Sequence, residues 1–138
     1  MAGEYSVNGL AVPETLELLH QLLAEARVDY PDLSDVDAML IETAVIEIAG
    51  NVVRHGRPTS QVVYAFTLRV LEDRVVGVLR HSGERVHWLP DAPMPDDPLA
   101  ERGRGLALAE AALSDLRFDF EGGENVWTMV RLRESAPA

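Results

Sequence analysis

Glu47, Asn51 and His55 stand at i, i+4 and i+8 in the run Glu47-Ile48-Ala49-Gly50-Asn51-Val52-Val53-Arg54-His55-Gly56. On a helix that spacing puts all three on one face. Beside them Ile41, Val45, Ile48 and Val52 make an apolar stripe suited to a core. A carboxylate and an amide next to a buried stripe need partners, because unpaired buried polar groups are costly. Two readings are open. The line is either the solvated margin of an amphipathic helix, or a site where a carboxylate takes a proton and an amide oxygen helps hold Mg²⁺. That ion favours hard oxygen ligands, few from protein and the rest from water and phosphate. Gly50 adds weight to the second reading. Glycine inside a helix costs about 1 kcal/mol relative to alanine, so its use implies that something approaches the backbone there.

A second group lies further on, in Glu101-Arg102-Gly103-Arg104-Gly105-Leu106. Its two glycines let the backbone bend and present N–H groups, and the helix that follows adds the positive end of its dipole. Together these make an anion site. Arg102 and Arg104 can add charge-assisted contacts to phosphate. The run is neither a P-loop nor a Rossmann fingerprint, since no Gly-Lys-Ser/Thr follows and no strand abuts it.

The elements that must position these groups are legible in outline. Tyr5–Val12 reads as an edge strand. Pro13 suits the first turn of a helix, in which Leu16, Leu19, Leu23 and Ala26 recur at helical spacing and Leu18 and Leu22 widen the stripe. Tyr30-Pro31-Asp32 ends it. Ser34 reads as the N-cap of the second helix, with Asp35 and Asp37 near the positive dipole end. This helix runs to about His55, with Gly56 as the residue after the cap and Pro58 preventing continuation. Gln61–Leu71 and Val75–Leu79 form a hairpin around Glu72-Asp73-Arg74, with Val62, Tyr64, Phe66, Leu68 and Val70 pointing one way. Ser82–Arg104 is rich in Gly, Pro and Asp and reads as a long functional loop. Gly105–Leu113 is a third helix, and Leu116–Phe120 and Val126–Leu132 form a second hairpin across Gly122-Gly123. Residues 134–138 are expected to be a disordered tail. Paired strands with grouped helices predict an α+β two-layer sandwich, a mixed or antiparallel sheet with helices on one face, as one domain over 1–138.

Composition narrows the partners. The chain has 138 residues and a net charge of −11, which argues against nucleic acid or an anionic membrane, both of which reward clustered Lys and Arg. Having no cysteine, it has no disulfide, thiolate metal site or Cys nucleophile. No apolar run reaches transmembrane length, and no signal peptide is visible. A soluble cytoplasmic protein is expected.

Taken in order, the Glu47/Asn51 helix, a hairpin, a glycine-containing turn, a long loop and Gly103-Arg104-Gly105-Leu106 at a helix start resemble the GHKL (Bergerat-fold, histidine-kinase-like) ATPases. Within them, the short chain and Gly105-Leu106-Ala-Leu-Ala resemble bacterial anti-sigma-factor serine kinases of the partner-switching type. The resemblance runs from about the first helix to Leu132. It implies ATP and Mg²⁺ as cofactors. It gives Glu47 the role of general base on a substrate serine and Asn51 that of holding Mg²⁺ at the ATP phosphates. His55 belongs to the same motif, and Arg102, Gly103, Arg104, Gly105 and Leu106 lie against the phosphates. It implies a sigma factor and an anti-anti-sigma (STAS-like) protein as partners, and dimerisation. An acidic surface would suit a basic DNA-binding partner.

One motif departs from the family. An aspartate that accepts a hydrogen bond from the adenine amino group usually precedes Gly83 by two residues; here His81 stands in that place and Arg85 replaces a second glycine. A neutral histidine can accept one hydrogen bond and a protonated one none. Near the last strand the resemblance leaves three alternatives for reaching the base: Asn125, Thr128 or neither. Arg80, Arg85, Arg102 and Arg104 are expected around the pocket. The altered base motif leaves a rival reading, a non-catalytic binding module on the same fold that sequesters a protein and binds nucleotide weakly or not at all; the retained Glu47/Asn51 pair favours the kinase. His20 reads as a surface or packing residue, Trp88 and Trp127 as packing or partner contacts. His81, His87 and Glu84 match no standard zinc spacing, and Ser82 beside His81 lacks a third triad member.

Overall fold

The computed structural model describes residues 3–87 and 104–134. Five strands and three helices follow in the order β1 (Gly3–Leu10), α1 (Glu14–Asp29), α2 (Asp35–His55), β2 (Val63–Val70), β3 (Arg74–His81), α3 (Arg104–Ala112), β4 (Asp115–Glu121) and β5 (Glu124–Leu132). The sheet order is β1-β2-β3-β5-β4, and every neighbouring pair is antiparallel. The predicted two-layer α+β sandwich is thus present, with an antiparallel rather than a mixed sheet. Crossing by way of α3 carries the chain past β3 to the far edge, and β5 returns between them. This places the end of β3 and the start of β5 side by side, with His81 opposite Asn125.

Strand alternation sorts the sheet into two faces. Phe66, Leu68, Val70, Val75, Leu79, Trp127 and Met129 are buried towards the helices, where they meet Leu19, Ile41, Val45, Ile48 and Val52. The predicted stripes of α2 and β2 are therefore the core. In α1, Leu18 does not widen the stripe; it stays exposed, while Thr15 is buried and its hydroxyl donates to the Leu10 carbonyl at 2.5 Å. Elsewhere the boundaries shift by one to three residues, as hydrogen bonds extend strands beyond their apolar cores.

Two arginines near the end of the chain fix the helices to the sheet. Asp37 is fully buried in the first turn of α2, where its N–H donates to the Ser34 hydroxyl at 3.0 Å. Its carboxylate accepts from Arg131 Nε at 2.9 Å and from the Glu134 N–H at 2.8 Å. Arg131 also donates to the Ala112 carbonyl at the end of α3, at 2.9 Å. One buried ion pair thus joins the start of α2, the end of α3 and the end of β5, and buried charges persist when paired in this way. Arg133 donates to the Leu71 carbonyl and to Asp32. Glu134, expected in the tail, is accordingly held by Asp37; residues 135–138 lie outside the described residues.

Gly56 ends α2 for a reason other than the expected one. Its φ is −62°, not left-handed. A Cβ there would lie 2.6 Å from the Val52 carbonyl oxygen and 3.1 Å from the Val62 side chain, so the position excludes side chains by space.

Candidate functional site

The two motifs that are far apart in sequence meet between α2 and α3. A Cβ on Gly105 would sit 2.6 Å from Glu47 Oε2, so the carboxylate reaches the backbone at the start of α3. Gly105 has no positive φ, and it is the approach of Glu47 that makes this position tight. Glu47 and Asn51 are both half-buried, and neither side chain hydrogen-bonds to any described residue. His55 lies two turns further along the same face and is exposed. Gly50 is buried, and what approaches it is the helix's own Arg54, whose Nη1 lies 3.1 Å from where a Cβ would be. Leu106 is half-buried and packs on the core under this end of the site. Arg102 and Gly103 lie outside the described residues, and of Arg104 only the backbone, as the first residue of α3, is described.

This end presents a carboxylate and an amide whose oxygens bond to no described residue, facing the N-terminus of a nine-residue helix. The helix dipole and free N–H groups favour an anion there. The two side-chain oxygens provide what a hard cation needs beside a phosphate. Among the described residues no group of three or more His, Asp or Glu gathers to hold a metal by itself.

The other end, where β3 meets β5, has the opposite character. His81 is 1% exposed. The Trp127 indole N–H donates to His81 Nε2 at 3.1 Å, and His81 Nδ1 lies 3.3 Å from the Ser82 carbonyl. Because an indole N–H can only donate, Nε2 is the acceptor and Nδ1 carries the proton. Both ring nitrogens are therefore used within the protein. Burial pushes the imidazole pKa down, opposed by the Ser82 carbonyl and Glu124, so the ring favours its neutral form. Trp127 is itself fully buried and lies against Phe118, ring centroids 4.7 Å apart.

Asn125 is also fully buried. Its Nδ2 donates to the carbonyls of Glu84 at 3.1 Å and His81 at 3.4 Å, and its Oδ1 accepts from the Val86 N–H at 2.8 Å. It is a staple for the segment after β3. Gly83 completes the staple: its φ is +96°, and a Cβ there would collide with the Arg57 carbonyl oxygen. The neighbouring Glu84 N–H donates to that same oxygen at 3.0 Å. Ser82 Oγ accepts from the Val63 N–H at 2.9 Å.

Two expectations change. Thr128 does not join this wall. It pairs with Val78 and Arg117 and points to the sheet face away from the helices, because alternation puts residues 125, 127, 129 and 131 on the core face. Arg80 likewise projects from that outer face, where Nη1 lies 3.6 Å from Glu121. Arg85 stacks over the Phe120 ring at 5.6 Å. Arg85 thus stays beside Asn125, whose cross-strand partner is Phe120, while Arg80 leaves the site; the side chains of Arg102 and Arg104 lie outside the described residues. The staple role of Asn125 and the indole–imidazole bond were not read from the sequence. Extending the alternation of β5 back from Met129 was the signal that could have placed both on the core face.

A two-layer α+β domain whose glutamate-bearing helix faces a glycine at a second helix start defines the class, and comparison with known proteins agrees. Residues 10–132 match the model of the histidine kinase-like ATPase domain, and the chain belongs to that family. A structure of the RsbU and RsbW domains of Rv1364c from Mycobacterium tuberculosis superposes with a TM-score of 0.67 at 21% identity, covering 97% of this chain and 34% of that one. The chain thus spans about a third of that protein's structure. The nucleotide-free catalytic domain of the histidine kinase ThkA superposes with a TM-score of 0.52 at 13% identity, over 94% of this chain and 97% of that one. No curated protein matches. Among the described residues no helix is long and apolar enough to cross a membrane.

Proposed function

We propose that this chain is a partner-switching regulator of the anti-sigma-factor serine-kinase type. It binds Mg-ATP, sequesters a sigma factor and phosphorylates a serine on an anti-anti-sigma (STAS-like) protein. The observation that carries this reading is the approach of the Glu47 carboxylate to Gly105 at the start of α3, with Asn51, which bonds to no described residue, one turn away. Glu47 is the group that takes the proton from the substrate hydroxyl. Asn51 Oδ1 is the protein ligand for Mg²⁺, and the N–H groups opening α3 hold phosphate oxygens. Mg-ATP, when bound, supplies the phosphoryl group and the cation that neutralises its charge. Such transfer depends on positioning and electrostatics more than on covalent help from the protein, which suits a site built from one base, one amide and a helix end. Likeness to the RsbW-containing structure supports the partner-switching part of the reading.

Calorimetric titration with Mg-ATP and Mg-ADP tests it. Saturable binding between micromolar and sub-millimolar concentration is expected, and the absence of heat at millimolar nucleotide would overturn it. The filled hydrogen bonds of His81 and Asn125 favour a second reading, a non-catalytic module that sequesters a protein partner. That same absence of heat, together with retained partner binding, would select it.

A further inference from the structure

We infer that the nucleotide site of this chain holds a nucleoside triphosphate by its phosphate end and does not read the base. This rests on the reading above that the α2–α3 end takes a magnesium-bound phosphate group. The three side chains placed to read a base at the β3–β5 end, His81, Asn125 and Thr128, are each occupied or turned away. His81 accepts from Trp127 and carries its proton on the nitrogen facing the Ser82 carbonyl. To accept from an adenine amino group it would have to give up that bond. The buried indole N–H would then lose the acceptor that His81 supplies, which costs more than one exposed hydrogen bond returns. Asn125 has both amide hydrogens on main-chain carbonyls and its oxygen on the Val86 N–H, with no exposed surface. Thr128 lies on the other face of the sheet. Adenine offers a donor at the ring position where guanine offers an acceptor. Among the described residues, His81, Asn125 and Thr128 offer neither a free acceptor nor a free donor with which to discriminate them.

The full chain is titrated separately with Mg-ATP, Mg-GTP, Mg-CTP and Mg-tripolyphosphate. Dissociation constants for the three nucleotides are expected within about threefold of one another, since no hydrogen bond worth about tenfold separates them. Tripolyphosphate is expected to compete with all three. ATP bound tenfold or more tightly than GTP would overturn the inference and leave the kinase reading standing. Binding of none of the four would overturn both. A second measurement needs no variant: proton–nitrogen correlation of the His81 imidazole, which reports the tautomer directly. The Nδ1–H form is expected in the free protein and unchanged at saturation with either nucleotide. A His81 ring signal that moves with ATP and not with GTP would show that the ring reads adenine after all.

Discussion

Two asparagines divide this molecule into regions with opposite uses of polarity. Asn51, on α2, is half-buried and its amide bonds to nothing in the described protein. Asn125, at the start of β5, is fully buried and makes three hydrogen bonds to main-chain groups around residues 81–86. Glu47 belongs with the first, His81 with the second. Polar groups left without partners contribute little to the fold and are free for a ligand. Polar groups with every partner supplied hold the fold and have nothing left to offer. The same residue type therefore serves binding in one place and architecture in the other, and burial with hydrogen-bond count tells them apart.

The largest expected effect strikes the open region. Glu47→Gln should lower phosphoryl transfer by about a hundredfold or more, the usual scale for a lost general base, while thermal stability stays within about 0.5 kcal/mol. Transfer to a serine-bearing partner and a melting curve, measured side by side, check it; loss of stability would move Glu47 into the architectural region. The asparagines themselves come next. Asn125→Ala should destabilise by about 2–3 kcal/mol, because it strands buried main-chain groups, whereas Asn51→Ala should leave denaturant midpoints nearly unchanged and weaken the magnesium-dependent part of nucleotide binding. Equal destabilisation by both would erase the contrast.

Gly105→Ala separates the two uses at a single position. Alanine is a better helix former by up to about 1 kcal/mol, and among the described residues the methyl group meets the movable end of Glu47. Stability should hold or rise while transfer falls about tenfold, as the carboxylate is pushed aside. Unchanged transfer would mean that the position of the carboxylate at Gly105 is not what the chemistry needs.

Acid should weaken the closed region. The folded pKa of His81 is depressed by burial, so the unfolded chain binds its proton first. The stability held by the neutral ring is complete above the ordinary histidine value of about 6.5 and declines as pH falls below it, by at most about 1.4 kcal/mol per unit, until the folded pKa is passed. His81→Gln, which keeps an acceptor for Trp127, should flatten that part of a denaturation–pH profile. The smallest effect is at Tyr64, whose buried hydroxyl lies near that of Thr15 but makes no well-formed hydrogen bond among the described residues. Tyr64→Phe should be neutral or stabilising by up to about 1 kcal/mol, measurable by urea denaturation; a clear loss would reveal a partner for that hydroxyl.

Much of this was legible in the sequence where one period dominates. The α2 stripe Ile41/Val45/Ile48/Val52 and the β2 alternation from Val62 to Val70 declared their buried faces, since helix and strand periods are local. Glu47 and Asn51 were legible as a pair for the same reason. Less legible were Asp37, which looked like a helix-start acid and is the buried partner of Arg131, and Thr128, which the family resemblance put near the base and alternation put on the far face.

The sequence by itself determined the elements, their buried stripes and the two motifs, because each depends on neighbours within a few residues. Only the tertiary structure decided that Glu47 meets Gly105 and that Trp127 and Asn125 use up the polar groups around His81. Those partners are 58, 46 and 44 positions apart along the chain. Whether a polar side chain is open or satisfied depends on which of them the sheet order brings within hydrogen-bond reach.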